Sequence, residues 1–276
     1  MSIFFAALSA LSYGAADYAG GKATRGHNVH AVLVLSQTVG LVGIFVVVLV
    51  LRQPMAPGID LAWGVAAGLS GVVGLSSLYR GLASGAAAIV SPTAALFGSA
   101  APILAGLLLD EMPAMTGWIG VGLALPAIVL LSLARDAGVR FDRQSLLFGI
   151  VAGIGFGGYF ILIDRTAPDS GFWPLASARI ASIIVVALAA VATKSSLRVS
   201  RHAMRPTLLA GTLDMAANVF FLIATRIGLL VTSAVVSSLY PAPTVLFARA
   251  FDGQRLGPRR ILGLVLSLAG VALMAI

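Results

Sequence analysis

Three charged side chains fall inside apolar stretches of the sequence, where they could take part in transport or binding chemistry. Asp214 and Arg179 lie near the middle of two such stretches, and Asp17 lies towards the end of the first one. A charge at the centre of a membrane helix costs about 2.5–3.5 kcal/mol on insertion scales, so each of these residues is a functional candidate. Asn218 lies one helical turn after Asp214 and shares its helix face.

Two interpretations of Asp214 and Arg179 are open. In the first, they form a buried ion pair that holds two helices together. In the second, Asp214 takes up a proton in exchange for substrate, and Arg179 tunes that uptake or binds an anionic group. For Asp17 the alternatives are an ion pair with Lys22 near the membrane interface and a position on the wall of a cavity.

Other polar residues within the apolar stretches could complete a cavity of mixed polarity. Tyrosine joins an apolar ring to a hydroxyl, which suits an amphipathic metabolite, whereas serine in a membrane helix often bonds to its own backbone. Proline removes a backbone hydrogen bond and bends a helix, so prolines within spans are candidate hinges. The cavity candidates are Tyr13, Asp17, Gln37, Tyr79, Ser91, Tyr159, Asn218, Ser237 and Tyr240, and the hinge candidates are Pro92, Gly98, Pro102, Pro241 and Pro243.

The composition indicates a membrane protein. Hydrophobic residues make up 59% of the 276 residues and charged residues 10%, whereas a soluble domain carries about 25% charged residues. The net charge is +8, but the Lys and Arg residues fall in short gaps between apolar runs, which argues against nucleic acid as a partner. Cysteine is absent and the three histidines lack metal-site spacing, so we predict no metal, no cofactor and no catalytic residue.

Ten apolar runs reach or approach the roughly 20 residues that cross a bilayer as a helix. The backbone of a lipid-exposed segment must satisfy its own hydrogen bonds, so all ten are predicted to be helices. The predicted spans are Ser2–Gly20, His30–Leu51, Leu61–Leu82, Ala86–Leu109, Met115–Ala134, Ser145–Ile163, Phe172–Thr193, Thr207–Thr225, Leu229–Ala250 and Ile261–Ile276.

The chain contains an internal duplication. The segment Gly85–Leu133 aligns with Gly228–Ile276 at an offset of 143 residues, and the same offset pairs Gly68 with Gly211. A shared offset along the whole chain indicates a repeat even where single identities are weak. The predicted organisation is a first unit at residues 1–134, a charged linker at 135–144 and a second unit at 145–276.

Each unit holds five spans, and this odd number has a topological consequence. The second unit must enter the membrane from the opposite face, so the fold class predicted is an all-α integral membrane protein of ten transmembrane helices in two inverted five-helix repeats. That architecture is typical of carriers that expose a midplane site to alternate sides of the membrane.

The positive charges predict an orientation. The loops that follow spans 1, 3, 5, 7 and 9 hold fourteen Lys and Arg residues, and the opposite loops hold three. Positively charged loops remain in the cytoplasm, so the charge bias places both termini outside the cell membrane.

The sequence resembles the EamA-type carriers of the drug/metabolite transporter superfamily. The resemblance covers essentially the whole chain and includes the segments YGAADYAGGK, LYRGLASG and SSLYPAPT. It is carried above all by a duplicated unit of widely spaced residues, Gly85, Gly98 and Glu111 in the first copy and Gly228, Pro241 and Gln254 in the second.

The resemblance implies ten helices in two inverted repeats around a central cavity, and export of amino acids or similar small metabolites. It also implies cytoplasmic termini, in disagreement with the charge count. Gln254 stands where the family usually has Glu, so no carboxylate pair with Glu111 is available. Both residues begin short polar turns, where we expect them to cap or pair at helix ends.

The sequence therefore predicts a secondary transporter of the cell membrane that works by alternating access and functions as a monomer among membrane lipids. Its expected partners are a small-molecule substrate and, with coupling, protons. A facilitative, uncoupled carrier is the alternative. A channel lacks a filter-like segment, and an intramembrane enzyme lacks a reactive constellation at depth.

Overall fold

Every regular element that the structure describes is a helix. The computed structural model describes residues 1–24, 28–83, 87–132 and 143–276. The first half consists of α1 (Ser2–Thr24), α2 (Val29–Val50), α3 (Gly58–Ala83), α4 (Ala87–Leu108) and α5 (Met115–Ser132). The second half consists of α6 (Arg143–Asp164), α7 (Trp173–Ala192), α8 (Arg201–Arg226), α9 (Leu230–Ser237), α10 (Pro241–Asp252) and α11 (Pro258–Met274), and a short 3-10 helix, Pro168–Ser170, precedes α7.

Some sequence predictions fall outside the described residues. Residues 135–142, which form most of the predicted linker, are among them, and so is the side chain of Tyr79.

Eight stretches of the described residues are long and apolar enough to cross a membrane. They lie in α2 to α8 and in the combined stretch Leu230–Asp252, which holds α9 and α10. The Ala- and Gly-rich α1 and the 17-residue α11 do not reach the same length and hydropathy. The predicted all-α membrane class is confirmed for this part of the chain, and the count of ten spans stays a prediction.

The ninth predicted span is broken into two helices, α9 and α10. Pro241 and Pro243 have no backbone N–H, so the carbonyls of Ser237 and Leu239 lose the donors that a continuous helix would supply. The Ser237 carbonyl instead accepts from Tyr240 N at 3.3 Å, and the Leu239 carbonyl accepts from Ala242 N at 2.9 Å. The chain tightens into a turn at this point. In α4, by contrast, the helix continues through Pro92 and Pro102.

Helices of one half pack mainly against helices of the other half. An offset of 143 residues carries α3, residues 58–83, onto residues 201–226, which are the bounds of α8. The contacts recur under the same offset. When each helix is exchanged for its counterpart in the other half, the α1–α8 contact becomes the α3–α6 contact, and the α3–α7 contact becomes the α2–α8 contact. In the same way, the α4–α6 contact becomes the contact of α1 with α9 and α10, and the α5–α11 contact is unchanged.

Two glycines related by this offset allow the closest of these approaches. A Cβ on Gly68 of α3 would run into the carbonyl oxygen of Ala178 on α7, and a Cβ on Gly211 of α8 would run into the carbonyl oxygen of Ser36 on α2. Small residues at such crossings let helix backbones come together and gain van der Waals contact, which drives helix association where no hydrophobic effect acts.

We expect Gly211→Ala to destabilise the protein, because the added methyl group meets a backbone atom that cannot move aside alone. Overpacking of this kind costs about 1–3 kcal/mol. The thermal unfolding midpoint in detergent should fall. The matched control is Gly43→Ala on α2, where an added Cβ meets nothing within 4 Å and alanine favours the helix. Equal midpoints for the two variants would contradict the close-packing account.

Candidate functional site

A cavity of about 200 Å³ lies where the two halves meet. Its wall is built from α1, α2, α3 and α4 of the first half, from α6, α7 and α8 of the second, and from the turn between α9 and α10. Eight residues that the sequence indicated as candidates for the cavity or its ion pair lie on this wall, together with the hinge candidate Gly98. The eight are Tyr13, Asp17, Gln37, Tyr159, Arg179, Asp214, Asn218 and Tyr240.

Arg179 forms the electrostatic centre of the cavity. It comes from α7, its residue is 8% exposed, and its guanidinium donates hydrogen bonds to Asp214 Oδ2 on α8 and to Gln37 Oε1 on α2. The Asp214 side chain keeps 34% of its surface exposed. The ion pair therefore joins three helices and at the same time forms part of the cavity wall.

A second polar chain continues from the ion pair to α1. The Asn218 side chain donates to the backbone carbonyl of Asp214 at 2.6 Å, and the Tyr13 hydroxyl donates to Asn218 Oδ1 at 2.9 Å. Asn218 is 4% exposed, and a buried amide needs such partners because desolvated polar groups are costly when unpaired. Tyr13 and Asn218 thus tie α1 to α8 beside the charged centre.

Asp17 differs from the other charged residues of the wall. Its side chain is exposed, and it makes no hydrogen bond or ion pair with any residue that the structure describes. Lys22, the partner considered from sequence, pairs instead with Asp252 at the end of α10, at 2.9 Å. Tyr18 also donates to Asp252, at 2.9 Å. Of the two interpretations of Asp17, the structure favours the cavity position.

The wall uses corresponding positions of the two halves. Several lining residues of the first half stand 143 positions before a lining residue of the second half. The pairs are Tyr13 and Phe156, Asp17 and Phe160, Gly71 and Asp214, Leu75 and Asn218, and Ala95 and Ser238. The positions of these lining residues are thus repeated in the two halves, whereas the size and polarity of their side chains are not.

Other candidates lie elsewhere. Ser237 is fully buried and its hydroxyl donates to the Ala6 carbonyl at 3.5 Å, while its neighbour Ser238 lines the cavity. Ser91 is half-buried on α4 and is not part of the cavity wall. Two of the hinge prolines pack against glycines of other helices. A Cβ on Gly157 of α6 would lie against the Pro102 ring, and a Cβ on Gly14 of α1 would lie against the Pro243 ring.

The sequence did not single out ten of the lining residues, and four of these carry an aromatic ring or a hydroxyl: Phe156, Phe160, Ser182 and Ser238. The repeat itself held a signal for two of these four, because Phe156 and Phe160 stand 143 positions after the candidates Tyr13 and Asp17. The counterpart of Ser238 is Ala95, which was not a candidate. Ser182 carries no such signal. It donates to the Gly68 carbonyl at 3.3 Å, and its position depends on the close crossing of α3 and α7.

Polar contacts tie together the loops that follow α2 and α6, on one face of the molecule. Gln53 Oε1 accepts from Phe172 N at 2.8 Å, and Asp60 Oδ1 accepts from Ala167 N at 3.0 Å. Arg226, the last residue of α8, donates to the Ala167 carbonyl at 3.1 Å. These contacts hold the ends of α2, α3, α6, α7 and α8 together.

Glu111 adds a further tie on the same face. It follows α4, and its two carboxylate oxygens accept from Leu230 N and Val231 N at 3.1 Å and 3.0 Å. A carboxylate at this place satisfies free backbone donors and complements the positive end of the helix dipole. Glu111 therefore caps α9 from the other half of the chain, in agreement with the helix-end role expected from the sequence.

The chemistry available at the cavity is binding of a small molecule. Charged, amide, hydroxyl and aromatic groups converge there, as in sites that orient an amphipathic ligand. Among the described residues, no group of three or more His, Cys, Asp or Glu side chains could hold a metal ion.

Long apolar helices around a cavity of mixed polarity define a multi-pass membrane protein, and comparison with known proteins identifies the family. The EamA-like transporter family matches residues 1–133 and again residues 143–276. The chain belongs to that family.

Structure comparison agrees on the fold. Seventeen chains among solved structures match. One crystal structure of a protein aligns over 100% of this chain and 98% of its own, with a TM-score of 0.79 and 14% sequence identity, a level at which the likeness concerns the fold alone. No curated protein matches the sequence.

We expect Asp214→Asn to lower the free energy of unfolding by about 3 kcal/mol, because it removes the carboxylate that neutralises the buried guanidinium of Arg179. Denaturation in detergent measures the loss. The double variant Arg179→Gln and Asp214→Asn removes both charges and should recover part of it. A double variant as unstable as the sum of the two single ones would show that the residues do not interact.

Proposed function

We propose that the protein is a secondary transporter that moves small amphipathic metabolites across the cell membrane by alternating access. The observation that carries the proposal is the polar cavity at the junction of the two halves, with the Arg179–Asp214 pair on its wall. Intramembrane ion pairs facing a cavity mark substrate and ion pathways. A site at the interface between repeats is where alternating-access carriers bind substrate.

The proposal includes ten membrane spans arranged as two inverted five-helix repeats. Three observations support this arrangement: the family matches the chain twice, the helix bounds recur at an offset of 143 residues, and the contacts between halves recur in pairs. Residues 1–134 and 145–276 would then be the two repeats. The excess of positive charge favours a cytoplasmic location for the loops after spans 1, 3, 5, 7 and 9, in the cell membrane.

The substrate class proposed is amino acids or related compounds, moved in the direction of export. The mixed wall supports it, because Tyr13, Tyr159 and Tyr240 offer apolar ring faces while Asp17 and Arg179 offer charges. Membrane lipid is the only other partner proposed, with a single chain as the working unit, and no cofactor or catalytic residue is needed.

Coupling to protons through Asp214 is one form of the proposal, and a facilitative carrier is the alternative. The ion pair between Asp214 and Arg179 favours the facilitative carrier, because a carboxylate that neutralises a buried cation cannot be protonated without leaving that cation unpaired. The 34% exposure of the Asp214 side chain to the cavity favours coupling.

Flux into proteoliposomes tests the transporter. A mixed amino-acid and metabolite pool is offered to the wild type and to Asp214→Asn, with and without an imposed pH gradient. We expect at least one compound to enter the liposomes. Accumulation that needs the gradient and is lost in a folded Asp214→Asn variant supports coupling through Asp214, whereas gradient-independent flux supports the facilitator.

The control variant for this assay is Asp110→Asn, an exposed carboxylate outside the cavity at a positive φ of 59°, which asparagine also tolerates. It should transport like the wild type. Folded protein that moves no compound of the pool would overturn the proposed function.

Alternating access also predicts that α4 and α9 separate during the cycle. A Cβ on Gly106 of α4 would touch Val231 of α9, next to the cap that Glu111 forms. The variant pair Gly106→Cys and Val231→Cys, made in a chain without native cysteine, should form a disulfide that blocks flux until it is reduced. The two single-cysteine variants are the controls. Undiminished flux in the oxidised pair would exclude movement at this contact.

A further inference from the structure

The charges on the cavity wall do not balance. Three charged residues line it: Asp17, Arg179 and Asp214. Arg179 and Asp214 neutralise each other in a direct ion pair. The wall that the structure describes therefore carries one formal negative charge, on Asp17.

No group of the described residues compensates Asp17. Lys22, the nearest basic residue along α1, is paired with Asp252 and lies 4.7 Å from the centre of the Tyr18 ring. Two donor groups of Arg179 already form hydrogen bonds to Asp214 and Gln37. The corresponding position in the second half is Phe160, so the repeat supplies no second carboxylate and no counter-charge.

Aromatic rings surround this part of the cavity. The ring centres of Tyr13 and Tyr240 lie 6.4 Å apart, those of Tyr13 and Phe160 6.3 Å apart, and those of Tyr159 and Phe160 6.1 Å apart. All four rings line the cavity. Aromatic faces attract cations, most strongly where water is excluded, and a carboxylate in such surroundings is stabilised by a cation that it can bind directly.

We propose that Asp17 binds the protonated amine of the substrate, and that the cavity selects compounds of net positive charge over zwitterions and anions with the same hydrocarbon part. The inference rests on the proposed function and narrows its substrate class to organic amines, including basic amino acids and amino-acid amides. A carboxylate on the ligand is disfavoured because the guanidinium that would receive it is already held by Asp214.

Three matched probes test the selection by charge. Phenethylamine, phenylalanine and 3-phenylpropionate share a phenyl ring on a two-carbon chain and carry charges of one positive, zero and one negative near pH 7. Binding to the purified full chain in detergent is measured by calorimetry. We expect the wild type to bind the amine at least about tenfold more tightly than the other two, the usual size of a hydrogen bond to a charged group.

The variant Asp17→Asn keeps the shape of the side chain and removes its charge. It should weaken amine binding at least about tenfold, and it should not weaken binding of 3-phenylpropionate, which has no ammonium group for Asp17 to bind. Asp17→Glu keeps the negative charge, so it should retain the preference for the amine over the other two probes. This variant tests the role of the charge if Asp17→Asn does not fold. Asp110→Asn again serves as the control and should bind like the wild type.

The inference is overturned if the wild type binds the zwitterion or the anion as tightly as the amine, or more tightly. It is also overturned if folded Asp17→Asn binds the amine with unchanged affinity, or if the wild type binds none of the three probes. None of these results overturns the transporter, which depends on flux of the metabolite pool. Conversely, a folded protein that moves nothing overturns the transporter even if it binds the amine.

Discussion

A charge inside hydrocarbon is stable only when another group of the protein neutralises it, and the pair formed by Arg179 and Asp214 meets this requirement at the centre of the molecule. The pair connects α7 with α8, and Gln37 extends it to α2. Arg179 and Asp214 both belong to the second half and Gln37 belongs to the first, so the cluster of three residues is complete only when the halves are packed together. The same contact that stabilises the bundle therefore places polar groups where a small molecule could bind.

Close helix packing provides the frame for this pair. Water is absent from the bilayer core, so helices associate through van der Waals contact and not through burial of apolar area. Gly68 and Gly211 have no side chain, and this lets α3 pack closely against α7 and α8 pack closely against α2. Both crossings lie next to lining residues, Ser182 in one case and Asp214 in the other. Packing and site geometry are thus set by the same contacts.

The two halves line the site with residues at corresponding positions, but the side chains at those positions differ in chemistry. At the offset of 143 residues, the counterpart of Tyr13 is Phe156 and the counterpart of Asp17 is Phe160. A duplicated scaffold lets each copy change its lining residues without changing the helix positions that carry them. The broken ninth span belongs to the second copy alone, where two prolines force a turn whose Ser238 and Tyr240 join the wall. Irregular backbone at this depth is tolerated because it is surrounded by protein.

The sequence by itself determined the helical class, the approximate position of each helix and the repeat, because long apolar runs have few other stable forms in a bilayer and a common offset survives weak identity. It also marked Asp17, Arg179 and Asp214, because the cost of a charge in hydrocarbon does not depend on the fold. Only the tertiary structure decided which polar residues meet. Ser237 faces a helix while Ser238 faces the cavity, a difference of one position that depends on helix rotation. Asp17 has no hydrogen-bond or ion-pair partner among the described residues, because Lys22 pairs with Asp252 of the second half. Contacts of this kind depend on which helices become neighbours, and residue order alone does not contain their distances.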